Sequence, residues 1–209
     1  MIVAVDGPTA SGKGSIARRL GEYFGLPVLD TGLLYRAVGY QTQLNHGDAD
    51  NASDALAACD FPDDLLDDPA LRFESTGSLA SRVSIHPAVR AALFQRQVDF
   101  ANQPGGAILD GRDIGTVIAP HADAKLFVTA SAEERARRRQ AEMLNRGLDV
   151  GYEVVLADIH ARDARDTGRA DAPLLRANDA MLLDTSAMDI TAAVAAAIAF
   201  IEERVRRPS

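Results

Sequence analysis

Gly7-Pro8-Thr9-Ala10-Ser11-Gly12 runs directly into Lys13, the Gly-x-x-x-x-Gly-Lys spacing of a loop that grips phosphate. Glycine permits backbone angles that a Cβ forbids, so successive N–H groups can converge on an anion. A helix starting after such a loop adds the partial positive charge of its N-terminus at the same point. Lys13 then serves as a mobile point charge that can follow a terminal phosphoryl group. The candidate triphosphate-binding residues are therefore Gly7, Pro8, Thr9, Ala10, Ser11, Gly12, Lys13, Gly14 and Ser15. The strict motif places Ser or Thr directly after the lysine, but here Gly14 stands there. Ser15 is the nearest hydroxyl, so any metal contact from this loop is shifted or indirect.

Phosphoryl transfer needs alignment, exclusion of water and cations where negative charge accumulates. Asp110 closes the apolar run Ala107-Ile108-Leu109 and can hold Mg²⁺ through water. Two groups of arginines can surround the moving group. Arg135, Arg138 and Arg139 precede a Gly-bounded segment, about 143–154, that can act as a lid; Arg162, Arg165 and Arg169 follow it at spacings suited to one helical face. The competing reading is salt bridging with Glu133, Glu134, Asp163 and Asp166.

These residues need a scaffold. Ile2 to Val5, Pro27 to Leu29, Ala124 to Thr129 and Met181 to Asp184 read as strands, with a possible short one over Ala70 to Glu74. Helices are expected over about 12–24, 32–44, 76–84, 87–101 and 190–205. Asp30 or Thr31 can cap the second helix, and Ser131 with Glu134 forms a capping box for the one carrying the first arginine group. In the last helix Ile190, Val194, Ile198, Ile201 and Val205 form one apolar stripe. Strands alternating with helices imply parallel βαβ units, a doubly wound α/β sheet whose ligands lie beyond the carboxyl ends of the strands.

Composition narrows the partners. At 209 residues, with 47% hydrophobic and 25% charged, the chain suits one soluble core. A net charge of −8 argues against polymeric nucleic acid. The longest apolar run, Ala192 to Ile201, is too short to span a bilayer. A lone cysteine, Cys59, and an N-terminal strand with no preceding leader point to the cytoplasm. His46, His86, His121 and His160 lack ligand-like spacing, so no metal held directly by the protein is expected.

Several stretches resemble the cytidylate kinases, the (d)CMP kinase branch of the nucleoside monophosphate kinases. They are Val5 to Ser15, Leu29-Asp-Thr-Gly-Leu-Leu-Tyr-Arg36, Asp110-Gly-Arg-Asp-Ile-Gly-Thr-Val117, Ala130 to Arg139, and Arg162-Asp-Ala-Arg-Asp-Thr-Gly-Arg-Ala-Asp-Ala-Pro-Leu174. The resemblance implies a P-loop nucleotide kinase fold, a five-stranded parallel sheet flanked by helices. It divides the chain into a core of about 1–30, 102–138 and 170–209, a monophosphate-binding domain of about 31–101, and a lid with its hinge helices of about 139–169. The acidic Cys59 to Arg72 stretch is shorter than the insert the family usually carries there.

The implied activity is transfer of the γ-phosphoryl of ATP, with Mg²⁺, to CMP or dCMP. Lys13, Asp110, Arg112, Arg139, Arg162 and Arg165 form the expected catalytic set. By position match, Thr31, Arg36, Arg112 and Arg169 surround the acceptor phosphate, Arg162 and Asp166 lie at its sugar, and Ser81, Arg90 and Asp113 read the base. The trio is chemically apt: Asp113 can accept from the cytosine amino group, and Ser81 and Arg90 can donate to its acceptors. Any metal contact is indirect, from Ser15 or Asp110 through water. A monomer is expected, with no nucleic acid and no membrane partner. The rival readings are a kinase for UMP, AMP or a shikimate-like alcohol, and a nucleotide-dependent switch.

Overall fold

The computed structural model describes residues 1–206; positions 207–209, included in the expected core, lie outside it. The chain divides into two compact units, Asp30–Phe100 and the remainder, Met1–Leu29 with Ala101–Ser209.

The larger unit is built on a sheet. Its strands are β1 (Ile2–Asp6), β2 (Val28–Asp30), β3 (Ala107–Gly111), β4 (Ala124–Thr129) and β5 (Met181–Asp184), in the order β2-β3-β1-β4-β5. β1 pairs in parallel with β3 and β4, and β4 with β5, so the expected five-stranded parallel sheet is present. Both faces of a parallel sheet are covered at its centre, which is why β1, β3 and β4 read as continuous apolar runs; the edge strands β2 and β5 keep partly exposed residues. α1 (Lys13–Phe24) and α8 (Ile190–Arg206) supply much of that cover. Ile16 and Leu20 from α1 and Val194, Ala197 and Ile201 from α8 pack with Val3, Val5, Ile108, Leu126 and Val128. Burying one such side chain contributes about 1.5–3 kcal/mol. The stripe on α8 stops at Ile201. Val205, expected to continue it, is exposed because the last turn carries the charged residues Glu202, Glu203, Arg204 and Arg206 past the edge of the core.

α6 (Ala132–Asn145) and α7 (Tyr152–Gly168) form a helical pair with its own small core of Ala136, Met143, Val155 and Ile159, against which Ala10 of the phosphate loop also packs. Ser131 caps α6 by accepting from the Glu134 amide at 3.2 Å. The reciprocal half of the capping box differs, because the Ser131 amide donates to Ser186 Oγ and the Glu134 carboxylate takes Arg137 and Arg138.

The Asp30–Phe100 unit contains α2 (Thr31–Leu44), α3 (Ala52–Ala57), α4 (Glu74–Val83) and most of α5 (Pro87–Ala101). Asp30 occupies the N-cap position of α2 without a side-chain capping bond. The strand expected over Ala70 to Glu74 is instead a 3₁₀ turn, Pro69–Arg72, leading into α4. Pro69 sets the first helical angle and the Asp68 carboxylate accepts from the Ala70 amide at 2.7 Å. That local cap outweighs the strand tendency of a short, mostly exposed segment.

Candidate active site

The loop from Gly7 to Gly12 joins β1 to α1, with Gly12 left-handed at the helix N-cap (φ 88°). Ala10 is also left-handed (φ 57°), an uncommon state for a residue with a side chain. Lys13 opens α1, and its ammonium lies 3.5 Å from Asp110 Oδ1 on the neighbouring strand β3. β1 and β3 run in register, with Val5 opposite Asp110, so the strand ends deliver the loop and the carboxylate to one edge.

Gly14 has a steric reason here. A Cβ at that position would sit 3.0 Å from Asp110 Oδ2. The Ser or Thr of the strict motif would press on the carboxylate, so this loop trades that hydroxyl for close approach of Asp110. A cavity of about 1150 Å³ opens beside the loop, lined by Ser11, Gly12, Ser15, Arg138, Thr185 and the α8 residues Ile190 and Val194 among others. Its volume accommodates a nucleoside.

The arginines divide by what they touch. Arg135, expected among those surrounding phosphate, is 5% exposed and makes four hydrogen bonds: to Ala130 O, Thr9 O and both carboxylate oxygens of Asp163. It is a strut tying the phosphate loop to α7, and the salt-bridge reading holds for it. Arg138 donates to Thr185 Oγ1 and O and to Glu134 at the rim of the cavity. Arg139 pairs with Glu142 at 2.6 Å. On α7, Arg162 is buried and paired with Asp158 at 2.8 Å; burial lowers its pKa, opposed by the Asp158 charge. Arg165 lies half-buried on the same helix, whereas Arg169 has left it, extended beyond Gly168. Arg112 donates through Nε to Asp166, which is itself buried.

In the Asp30–Phe100 unit, Thr31 is buried at the start of α2 and Arg36 donates to the carbonyls of Leu71 and Phe73, 3.0 Å each. Arg90, buried on α5, reaches the Tyr35 hydroxyl at 3.4 Å, and Ser81 is half-buried on α4.

Two residues escaped the sequence reading. Thr185 follows β5 directly and bonds both Arg138 and the loop carbonyl of Ser11; its place just past a strand's carboxyl end was the available signal. Asp6 ends β1, 4% exposed, with Oδ1 and Oδ2 accepting from the amides of Ile114 and Gly115 at 2.8 Å each. A carboxylate closing an apolar strand just before a phosphate loop was its signal.

Burial pushes the Asp6 carboxyl from 3.8 up to about 7, against the lowering effect of the two amides, and the charges of Asp113 and Asp110 push the same way. Between those values the unfolded chain has released the proton and the folded chain keeps it. Rising pH therefore favours unfolding across that window, and the stabilisation present below pH 3.8 is lost as pH rises through about 7. The wild type is expected to lose melting temperature relative to Asp6→Asn from about pH 4 to pH 7. A difference constant over that range would refute the assignment.

No helix among the described residues is long and apolar enough to cross a membrane. Residues 3–203 match the family model described as cytidylate kinase. The chain is 58% identical to the cytidylate kinase of Xanthobacter autotrophicus over 204 residues, 98% of each chain. It is 53% identical to the cytidylate kinase of Caulobacter vibrioides over 205 residues, 97% of this chain and 95% of that one. Among solved structures, an uncharacterized protein from Eubacterium ventriosum aligns with a TM-score of 0.57 at 14% identity, covering 97% of this chain and 98% of that one; this likeness concerns the fold alone.

Proposed function

The chain belongs to the cytidylate kinase family, and from that premise we propose that it transfers the γ-phosphoryl of ATP to CMP or dCMP, giving ADP and CDP or dCDP. The observation that carries this reading is the Lys13 ammonium at the head of α1, 3.5 Å from a buried carboxylate on the adjacent strand. It combines a phosphate loop, a mobile cation and a metal-compatible oxygen donor at one sheet edge.

An oxygen of the acceptor phosphate attacks the γ-phosphorus, and the bond to the β–γ bridging oxygen breaks as ADP leaves. No general base is required, because the attacking oxygen is already ionised. Loop amides and Lys13 hold the donor phosphates, and Lys13 follows the charge that develops on the moving group. Mg²⁺ would come with the ATP substrate; Asp110 and Ser15 would hold it through water, hard oxygen donors that suit this ion, and it would supply neutralisation of the donor phosphates' charge. Arg112, Arg139, Arg162 and Arg165 are assigned to the transferring group. Thr31, Arg36, Arg112 and Arg169 are assigned to the acceptor phosphate, Arg162 and Asp166 to its sugar, and Ser81, Arg90 and Asp113 to its base. Segment 139–169 acts as the lid, and the enzyme works as a monomer in the cytoplasm.

An acceptor panel at fixed ATP tests this. CMP and dCMP are expected to outrun UMP and AMP, and Asp113→Ala to narrow the CMP-over-UMP preference by about tenfold to a hundredfold, since a charged hydrogen bond contributes roughly 1.5–3 kcal/mol. UMP or AMP leading in the wild type would refute the base assignments. Acceptor-independent hydrolysis unaltered by CMP would favour a switch instead.

A further inference from the structure

Asp6 is assigned no part in the reaction, yet it links the phosphate loop to the turn that carries Arg112 and Asp113. It is the last residue of β1 and directly precedes Gly7, the first residue of the phosphate loop. Its carboxyl is held by the turn after β3, where the Ile114 and Gly115 amides donate to separate oxygens at 2.8 Å. Two consecutive amides facing one group of acceptor oxygens form a concave nest, and here the group is the protein's own carboxyl.

The turn is tightly organised around that nest. The Asp113 carbonyl accepts from the amides of Val117 at 2.8 Å and Ile118 at 3.2 Å. A Cβ on Gly115 would lie 3.1 Å from Lys125 Cδ and 3.3 Å from Asp6 Oδ2, so a methyl group there would press on the clamp. Arg112 and Asp113 sit immediately before the clamped amides. Arg112 reaches across to Asp166, whose own carbonyl accepts from Leu174 at 2.8 Å, so the turn's orientation is passed on to the end of α7.

We propose that Asp6 is a positioning residue for acceptor recognition: by gripping the Ile114 and Gly115 amides, it orients Arg112 and Asp113 toward the nucleoside monophosphate. The inference rests on the assignment of Arg112 and Asp113 to the acceptor. Asp6 touches no substrate in this scheme; it acts through the turn. Because its two bonds run to the turn, the consequence of loosening them falls on the acceptor rather than on ATP.

The test is steady-state kinetics of the wild type, Asp6→Asn and Gly115→Ala, with ATP, CMP and UMP each varied. An asparagine keeps one accepting oxygen and turns a donor toward the other amide, so one of the two bonds is lost. KM for CMP is expected to rise about tenfold and the CMP-over-UMP preference to fall, with KM for ATP within about twofold. Gly115→Ala crowds the same clamp while leaving the Asp6 carboxyl in place, and is expected to give the same acceptor-side signature. It also serves where Asp6→Asn fails to fold. Equal rises in both KM values, a change in ATP kinetics alone, or lowered stability with unaltered acceptor kinetics would each overturn the proposal. A wild type that does not phosphorylate CMP would overturn the function itself, and the inference with it.

Discussion

Lys13→Ala is expected to lower kcat by roughly 10²- to 10³-fold, with a much smaller change in KM for either substrate. The ammonium sits at the N-terminus of α1, where loop amides and helix dipole already hold the phosphates, so ground-state binding has other support. What those fixed groups cannot do is follow the phosphoryl as it moves. A flexible cation does, and its interaction strengthens as charge shifts to the bridging oxygen. The same substitution removes a cation beside Asp110, within a group of buried carboxylates that includes Asp6 and Asp113. A lower melting temperature is therefore expected as well, and the kinetics are read well below it. Varying ATP and CMP separately decides the matter: a loss confined to KM for ATP, with kcat intact, would show that Lys13 binds ground and transition states equally.

Arg135→Met is expected to cost about 3 kcal/mol of folding stability, because removing one partner of a buried ion pair strands the other. Methionine retains the apolar stem but none of the four hydrogen bonds. Asp163 keeps some solvent access, with its side chain 27% exposed, which sets the expected cost at the low end. The carbonyls of Ala130 and Thr9 lose a donor too. Removing Asp163 together with Arg135 is expected to cost less than the single change, since no charge is left behind. Denaturant unfolding of the single and double variants measures this. Unchanged stability with a hundredfold fall in kcat would return Arg135 to the phosphate-contacting arginines.

The two residues come from different motifs, and Arg135 has a partner that its own motif does not announce. Arg135 belongs to a run of basic residues that reads equally well as a phosphate cage or as a set of ion pairs. The choice depends on Asp163, 28 positions further along and on another helix. Gly14 is a departure from a motif until Asp110 is seen at its side. The turn at Pro69–Arg72 shows the opposite case: the deciding contacts were local, a proline at the first position and the Asp68 cap, and strand-like composition obscured them.

The phosphate loop, the central strands and their parallel arrangement are legible along the chain, because these follow from backbone freedom at glycine and from apolar runs alternating with helices. Periodicity and composition are local properties, readable along the chain. Tertiary structure alone decided the partners of the buried charges: Asp6 with amides more than a hundred residues away, Arg112 with Asp166, Arg135 with Asp163. A charge leaving water must find its counterpart in space, and folding chooses that neighbour after the elements are packed.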